Sequence, residues 1–127
     1  MTHNVLVVED EDDLRLMTRL MFQSRTNVRV IEASTGEQAV KIIENEPVDV
    51  MLLDLRLPDM EGWEVLETLA GKGLFPALPV VMVSAASTPT TVSRQALERG
   101  VRGYVRKPFT AEELLDVVQN ALGEELD

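Results

Sequence analysis

The chain has 127 residues, 45% hydrophobic and 27% charged, with 22 acidic against 12 basic side chains, a net charge of -10 and no cysteine. That length suits a single domain with a sizeable core, and the composition excludes a largely disordered chain, disulfides and thiolate metal sites. The acidic excess repels nucleic acid phosphates, so no direct nucleic acid binding is expected; with no export signal and no apolar run near the roughly 20 residues that cross a bilayer, the expected location is cytoplasmic, with no membrane partner.

The only histidine, His3, falls in a terminal segment expected to be loose, so carboxylates are left to carry any chemistry. Asn4 to Val8 reads as a first strand and runs directly into five acids, Glu9 to Asp13. From Asp12 to about Gln23, Leu14, Met17, Leu20 and Met21 recur at helical spacing, which predicts a helix after the acidic turn. Acids at a helix start also serve as caps that complement its dipole, the ordinary reading of such a run.

Val28 to Ile31 predicts a second strand. Ser34-Thr35-Gly36-Glu37 has the spacing of a capping box and opens a helix with Ala39, Ile42 and Ile43 on one face. Val48 to Asp54 is an apolar run ending in one carboxylate, as in a strand buried on both faces of a parallel sheet. A loop with Pro58 follows, then a helix carrying Trp63, Leu66 and Leu69 that ends near Gly71. Gly73 to Pro79 is a connector in which Leu74 and Phe75 are expected to anchor the loop to the core, with a partner surface as the weaker option.

Pro79 to Val83 predicts a fourth strand, ending in Ser84-Ala85-Ala86. Pro89 suits the start of a fourth helix with Val92, Ala96 and Leu97 inward and Gly100 as its stop. Val101 to Val105 is a fifth strand, followed by Arg106-Lys107-Pro108-Phe109. Thr110-Ala111-Glu112-Glu113 is another capping box, opening a helix with Leu114, Val117, Val118 and Ala121 inward. No linker or second domain shows, so residues 1–127 are expected to form one domain with a core of about 4–122.

Strands alternating with helices predict a doubly wound parallel sheet covered on both faces, a three-layer α/β/α arrangement. Asp10, Asp54, Ser84 and Lys107 then all fall at or just past carboxyl ends of strands, the edge where such sheets bind ligands. Taken singly, Asp54 serves as well as a loop cap, Ser84 as a donor to a nearby carbonyl and Lys107 as a solvated lysine. Four at one edge favour a site. Glu9, Asp10 and Asp54 offer hard oxygen ligands suited to Mg²⁺ or Mn²⁺, and a cation beside Asp54 would let its carboxylate attack a phosphoryl group.

From Val5 to about Leu122 the chain resembles the receiver domain of bacterial two-component response regulators. The likeness is carried by Val7-Val8-Glu9-Asp10-Glu11, Leu53-Asp54-Leu55-Arg56-Leu57-Pro58-Asp59 with Gly62, Val83-Ser84-Ala85, and Tyr104-Val105-Arg106-Lys107-Pro108-Phe109. This resemblance implies a flavodoxin-like five-stranded sheet in the order 2-1-3-4-5 with five helices. It implies a phosphoryl group accepted on Asp54 from a histidine kinase or phosphotransfer protein. Asp10, Asp54 and the carbonyl of Arg56 would ligate Mg²⁺, with Glu9 helping through water, and Lys107, after a cis bond to Pro108, would hold the phosphoryl group.

Ser84 would swing toward that group and Tyr104 would follow inward, switching the face of the fourth helix, fifth strand and fifth helix toward a partner, a fused output domain or a second copy in a homodimer. A half-buried tyrosine that merely packs is the ordinary alternative for Tyr104. Departures from the family pattern are Glu9 where aspartate is common and Ser84 where threonine is common; Arg56 and Ala86 flank the route of water to the acyl phosphate. Such a module is not an enzyme with a separate substrate. The two competing classes are a Mg²⁺-dependent phosphohydrolase, disfavoured because Arg56 stands where a second aspartate would act as general acid, and a degenerate receiver, disfavoured by the complete polar set.

Overall fold

The structure, a computed structural model, describes residues 2–126; the ends of the expected domain, Met1 and Asp127, lie outside the described residues. Five strands, β1 (Asn4–Val8), β2 (Arg29–Ala33), β3 (Val50–Asp54), β4 (Val80–Ser84) and β5 (Gly103–Arg106), alternate with α1 (Asp12–Arg25), α2 (Gly36–Asn45), α3 (Gly62–Gly71), α4 (Thr90–Glu98) and α5 (Ala111–Leu122). All paired strands are parallel, and their order is β2-β1-β3-β4-β5, as expected.

Successive strand residues point to opposite faces, so each strand feeds two cores. Leu6, Val8, Met51, Leu53, Val80 and Met82 meet α2, α3 and α4 on one face. On the other, Val5, Val7, Val50, Leu52, Val81 and Val83 meet Phe22 of α1 and Leu114, Val118 and Ala121 of α5. Every residue of β3 and β4 is buried, which is why both read as unbroken apolar runs. Phe75 is buried and Leu74 packs beside it, so the pair anchors its loop.

Several local expectations need correction. In α1 the buried residues are Thr18 and Phe22, whereas Met17 and Leu20 are 55% and 51% exposed. Helical spacing permits either of two adjacent stripes; the large Phe22 ring fixes the phase, and Thr18 tolerates burial because its hydroxyl donates to Leu14 O at 2.9 Å. Leu97 is likewise exposed, while Ala96 is buried and Val92 packs against the core as expected, with Ser93 turned inward beside them. The cap of α2 is Thr35, not Ser34: its hydroxyl accepts from Gln38 N at 3.1 Å, and Gln38 Oε1 accepts from Ser34 N at 2.9 Å. Thr110 caps α5 as expected, accepting from Glu113 N at 3.1 Å. Pro89 is the N-cap of α4, one residue ahead of the first turn.

His3 is not loose: its ring is mostly buried and Nε2 pairs with Glu124 Oε1 beyond α5, tying the two ends of the fold together. The strand edges also shift by a residue or two, with β2 and β5 beginning later than the apolar runs suggest. The Lys107-Pro108 bond is cis, as expected, and so is Phe75-Pro76, for which the sequence carries no signal.

Candidate functional site

β3 lies between β1 and β4, and Asp54 ends it opposite Val83. The carboxylate is 7% exposed, and Arg56 N donates to its Oδ1 at 3.0 Å, turning the loop tightly past the strand. α3 begins against this turn. A Cβ at Gly62 would sit 2.9 Å from Asp54 O and 3.1 Å from Leu55 Cα, so only glycine lets the helix start so close to the acidic strand end.

Two strands away, Lys107 N donates to Ser84 O at 2.8 Å, which fixes the start of its loop beside β4. Its ammonium then reaches across the edge to lie 2.7 Å from Asp54 Oδ2 and 2.8 Å from Glu9 Oε1. Glu9 is held in turn: its N–H donates to Ala33 O at 3.0 Å, its carbonyl accepts from Arg15 Nη1 at 2.8 Å, and its Oε2 accepts from Glu11 N at 3.2 Å. The side chain that lengthens this position by one methylene is therefore committed to Lys107 and the acidic turn.

Burial pushes the Glu9 carboxyl up to about 7 from an ordinary 4.5, against the pull of the Lys107 hydrogen bond and with the help of the nearby Asp54 charge. For Lys107, burial opposes the charged form, but the hydrogen bonds to Asp54 and Glu9 outweigh it and the ammonium is held above its ordinary value. The lysine thus stays charged where two acids converge.

Glu9, Asp10 and Asp54 offer carboxylate oxygens that all lie within 4.8 Å of one another. Asp10 is exposed while the other two are buried, so the group opens to solvent on one side. That side is a cleft of about 350 Å³ walled by Asp10, Glu11, Asp54, Arg56, Ala85, Thr88 and Lys107. Three hard oxygen donors with water access fit Mg²⁺ or Mn²⁺, which keep part of their hydration, and the set lacks the nitrogen and sulfur donors that softer metals prefer. Ser84 ends β4 and is 2% exposed, with an Oγ that has no hydrogen-bond partner. Tyr104 is partly buried on the α4 side of the sheet. The fold thus brings together Glu9, Asp10, Asp54, Ser84, Arg56 and Lys107 at one edge, while Tyr104 stands back along β5.

Three features carried no recognisable sequence signal. Arg106 Nη1 donates to Ala86 O at 3.0 Å and Thr88 O at 2.9 Å, a contact made by tertiary proximity. Asp59, in the loop after β3, accepts from Gly36 N at 2.9 Å and Glu37 N at 3.0 Å, capping α2 from outside. Beside the cleft runs an apolar groove of about 500 Å³ between α1 and the loop into α5, lined by Leu14, Met17, Met21, Ala85, Pro108 and Phe109 and sharing Lys107 with the cleft.

Comparison with known proteins agrees with this fold. The chain is 40% identical to the transcriptional regulatory protein KdpE of Mycobacterium tuberculosis over 87% of its own length and 47% of that protein's. To the nitrate/nitrite response regulator protein NarL of Escherichia coli it is 32% identical, over 96% of this chain and 56% of that protein. It therefore spans about half the length of these curated relatives. Among solved structures, a CheY-like response regulator receiver domain protein from Methanospirillum hungatei superposes with a TM-score of 0.84 at 28% identity, covering 97% of this chain and 95% of that one. No helix among the described residues is long and apolar enough to cross a membrane. Residues 5–119 match the family model of the response regulator receiver domain, and the chain belongs to that family.

Proposed function

We propose that this domain takes one phosphoryl group onto Asp54 from a phosphohistidine on a histidine kinase or phosphotransfer protein in the cytoplasm. A carboxylate oxygen of Asp54 forms the new bond to phosphorus as the donor's nitrogen–phosphorus bond breaks and the imidazole departs. Lys107 exchanges its contact with Asp54 Oδ2 for one with a phosphoryl oxygen, and Ser84 donates to another. Asp10, Asp54 and the Arg56 carbonyl, with Glu9 through water, are the residues that would hold Mg²⁺ or Mn²⁺, which when bound neutralises charge on the transferred oxygens. The chemistry is limited to the domain's own phosphorylation and dephosphorylation.

The observation that carries this reading is the Lys107 bridge between Asp54 and Glu9, set beside a buried serine hydroxyl that has no partner. A buried unpartnered hydroxyl is costly, and an incoming phosphoryl oxygen would satisfy it. The groove between α1 and the loop into α5 favours a helical donor, since apolar helix faces seat in such grooves and this one shares Lys107 with the cleft. Movement of Ser84 and then Tyr104 would pass the change to α4, β5 and α5, and so to a downstream protein, a fused output domain or a second copy. As a test, acetyl phosphate with Mg²⁺ is expected to add one phosphoryl mass to the intact chain; the same adduct on Asp54→Asn would overturn the assignment.

A further inference from the structure

The loop from Ala85 to Thr88 walls the cleft through Ala85 and Thr88 and directly follows the unpartnered Ser84 hydroxyl. Within the loop, Thr88 N donates to Ala85 O at 3.0 Å, closing one turn. Among the described residues, the other hydrogen bonds that hold it come from the end of β5. Lys107 N takes Ser84 O at 2.8 Å, and Arg106 Nη1 takes Ala86 O at 3.0 Å and Thr88 O at 2.9 Å. Three alternate carbonyls, at 84, 86 and 88, are therefore pinned by two adjacent residues.

Side chains of alternate strand residues share a face, so Arg106 lies on the same side of β5 as Tyr104, the side on which α4 packs. Its guanidinium joins the loop between Ser84 and α4 to the strand that carries Tyr104. Lys107, next in sequence, points into the cleft. The charged pair at the end of β5 thus divides: one residue grips the acceptor carboxylate and the other grips the loop through which Ser84 would have to move.

We infer that Arg106 is a positioning residue that holds the 85–88 loop in the resting arrangement and so opposes engagement of Ser84 by the phosphoryl group. Resting on the reading of Asp54 as phosphoacceptor, the inference adds a restraint that touches neither phosphate nor metal. A contact made in the resting state alone biases the equilibrium toward that state, and its removal lowers the cost of switching. The apparent affinity for a phosphoryl mimic then rises in proportion to the competent population. Were the bonds merely structural, their loss would loosen the loop and leave that affinity the same or weaker.

The test is titration of beryllofluoride in the presence of Mg²⁺, followed by amide shifts, on the wild type, Arg106→Met and Arg106→Lys, with Mg²⁺ alone titrated in parallel. Methionine keeps the apolar stem and removes the donors; lysine keeps a donor nitrogen on a shorter reach. Arg106→Met is expected to saturate at about five- to tenfold lower beryllofluoride, in the range of coupling energies from one or two hydrogen bonds, with unchanged Mg²⁺ affinity and a lower melting temperature. Arg106→Lys is expected to fall between it and the wild type, and carries the test by itself if the methionine variant does not fold. Unchanged or weaker beryllofluoride binding in the variants of a responsive wild type overturns the role of Arg106 alone. A wild type that ignores beryllofluoride overturns the Asp54 reading, and this inference with it.

Discussion

Glu9 and Lys107 form a largely buried ion pair, Oε1 to Nζ at 2.8 Å, in which burial opposes the charge on both partners but prevails only at the acid. Its carboxyl is pushed up to about 7 from 4.5, so the folded chain binds this proton more tightly than the unfolded chain does. The stability this group contributes is fully present below about 4.5 and is lost as pH rises through about 7. Lys107, raised above its ordinary 10.5, titrates outside that window. Chelator-treated protein is therefore expected to lose stability between these limits in urea unfolding, and Glu9→Gln to flatten the slope; an unchanged slope in the variant refutes the assignment.

Ser84 offers a cleaner separation of fold from signal. Its Oγ has no partner in the resting structure, so Ser84→Ala removes a buried polar atom without breaking a bond. Stability is expected to stay level or rise by about 1 kcal/mol. Asp54 is expected to remain phosphorylatable by acetyl phosphate, while the amide shifts that a phosphoryl mimic induces around Tyr104 and α5 collapse. Wild-type shifts at those amides in the variant would remove Ser84 from the relay.

Asp59 ties the loop after β3 to the first turn of α2. Burial alone would raise its carboxyl, but the donors from Gly36 and Glu37 prevail and hold it below its ordinary 3.8. Its contribution is therefore present above about 3.8 and lost as pH falls through the lower folded value. Asp59→Ala is expected to cost about 1 kcal/mol at neutral pH, the usual worth of a helix cap, with the difference from wild type shrinking in acid. Equal denaturation midpoints at pH 7 would contradict it.

Met17 and Leu20 face solvent, so replacing both with serine is expected to shift stability by no more than about 0.5 kcal/mol. If the groove seats a phosphodonor, transfer from that protein slows at least tenfold while labelling by acetyl phosphate is unaffected. Equal slowing with both donors would move the defect to Asp54 itself.

How legible these parts were depended on how many constraints acted on each residue. β3 and β4 could be read directly, because burial on both faces leaves little but apolar side chains. The positions of Asp54, Ser84 and Lys107 followed from where those runs stopped. The phase of α1 followed only in part, since Met21 packs on the core beside the buried Thr18 and Phe22, while Met17 and Leu20, at the same helical spacing, face solvent. An outward stripe made for something other than the core looks the same in sequence as an inward one. Arg106 and Asp59 were illegible for another reason: each serves carbonyls or amides brought near by the fold, and backbone groups carry no sequence identity.

The outward stripe of α1 puts Leu16, Met17 and Leu20 in water on a chain that carries a net charge of -10. Two copies approaching through these faces bring ten surplus negative charges each, so the sticky surface is kept from its own kind by long-range repulsion. A partner that presents positive charge around an apolar ridge would meet no such repulsion, and the reach of the effect shortens as salt is added. The domain's acidity thereby disfavours contact of α1 with like-charged surfaces.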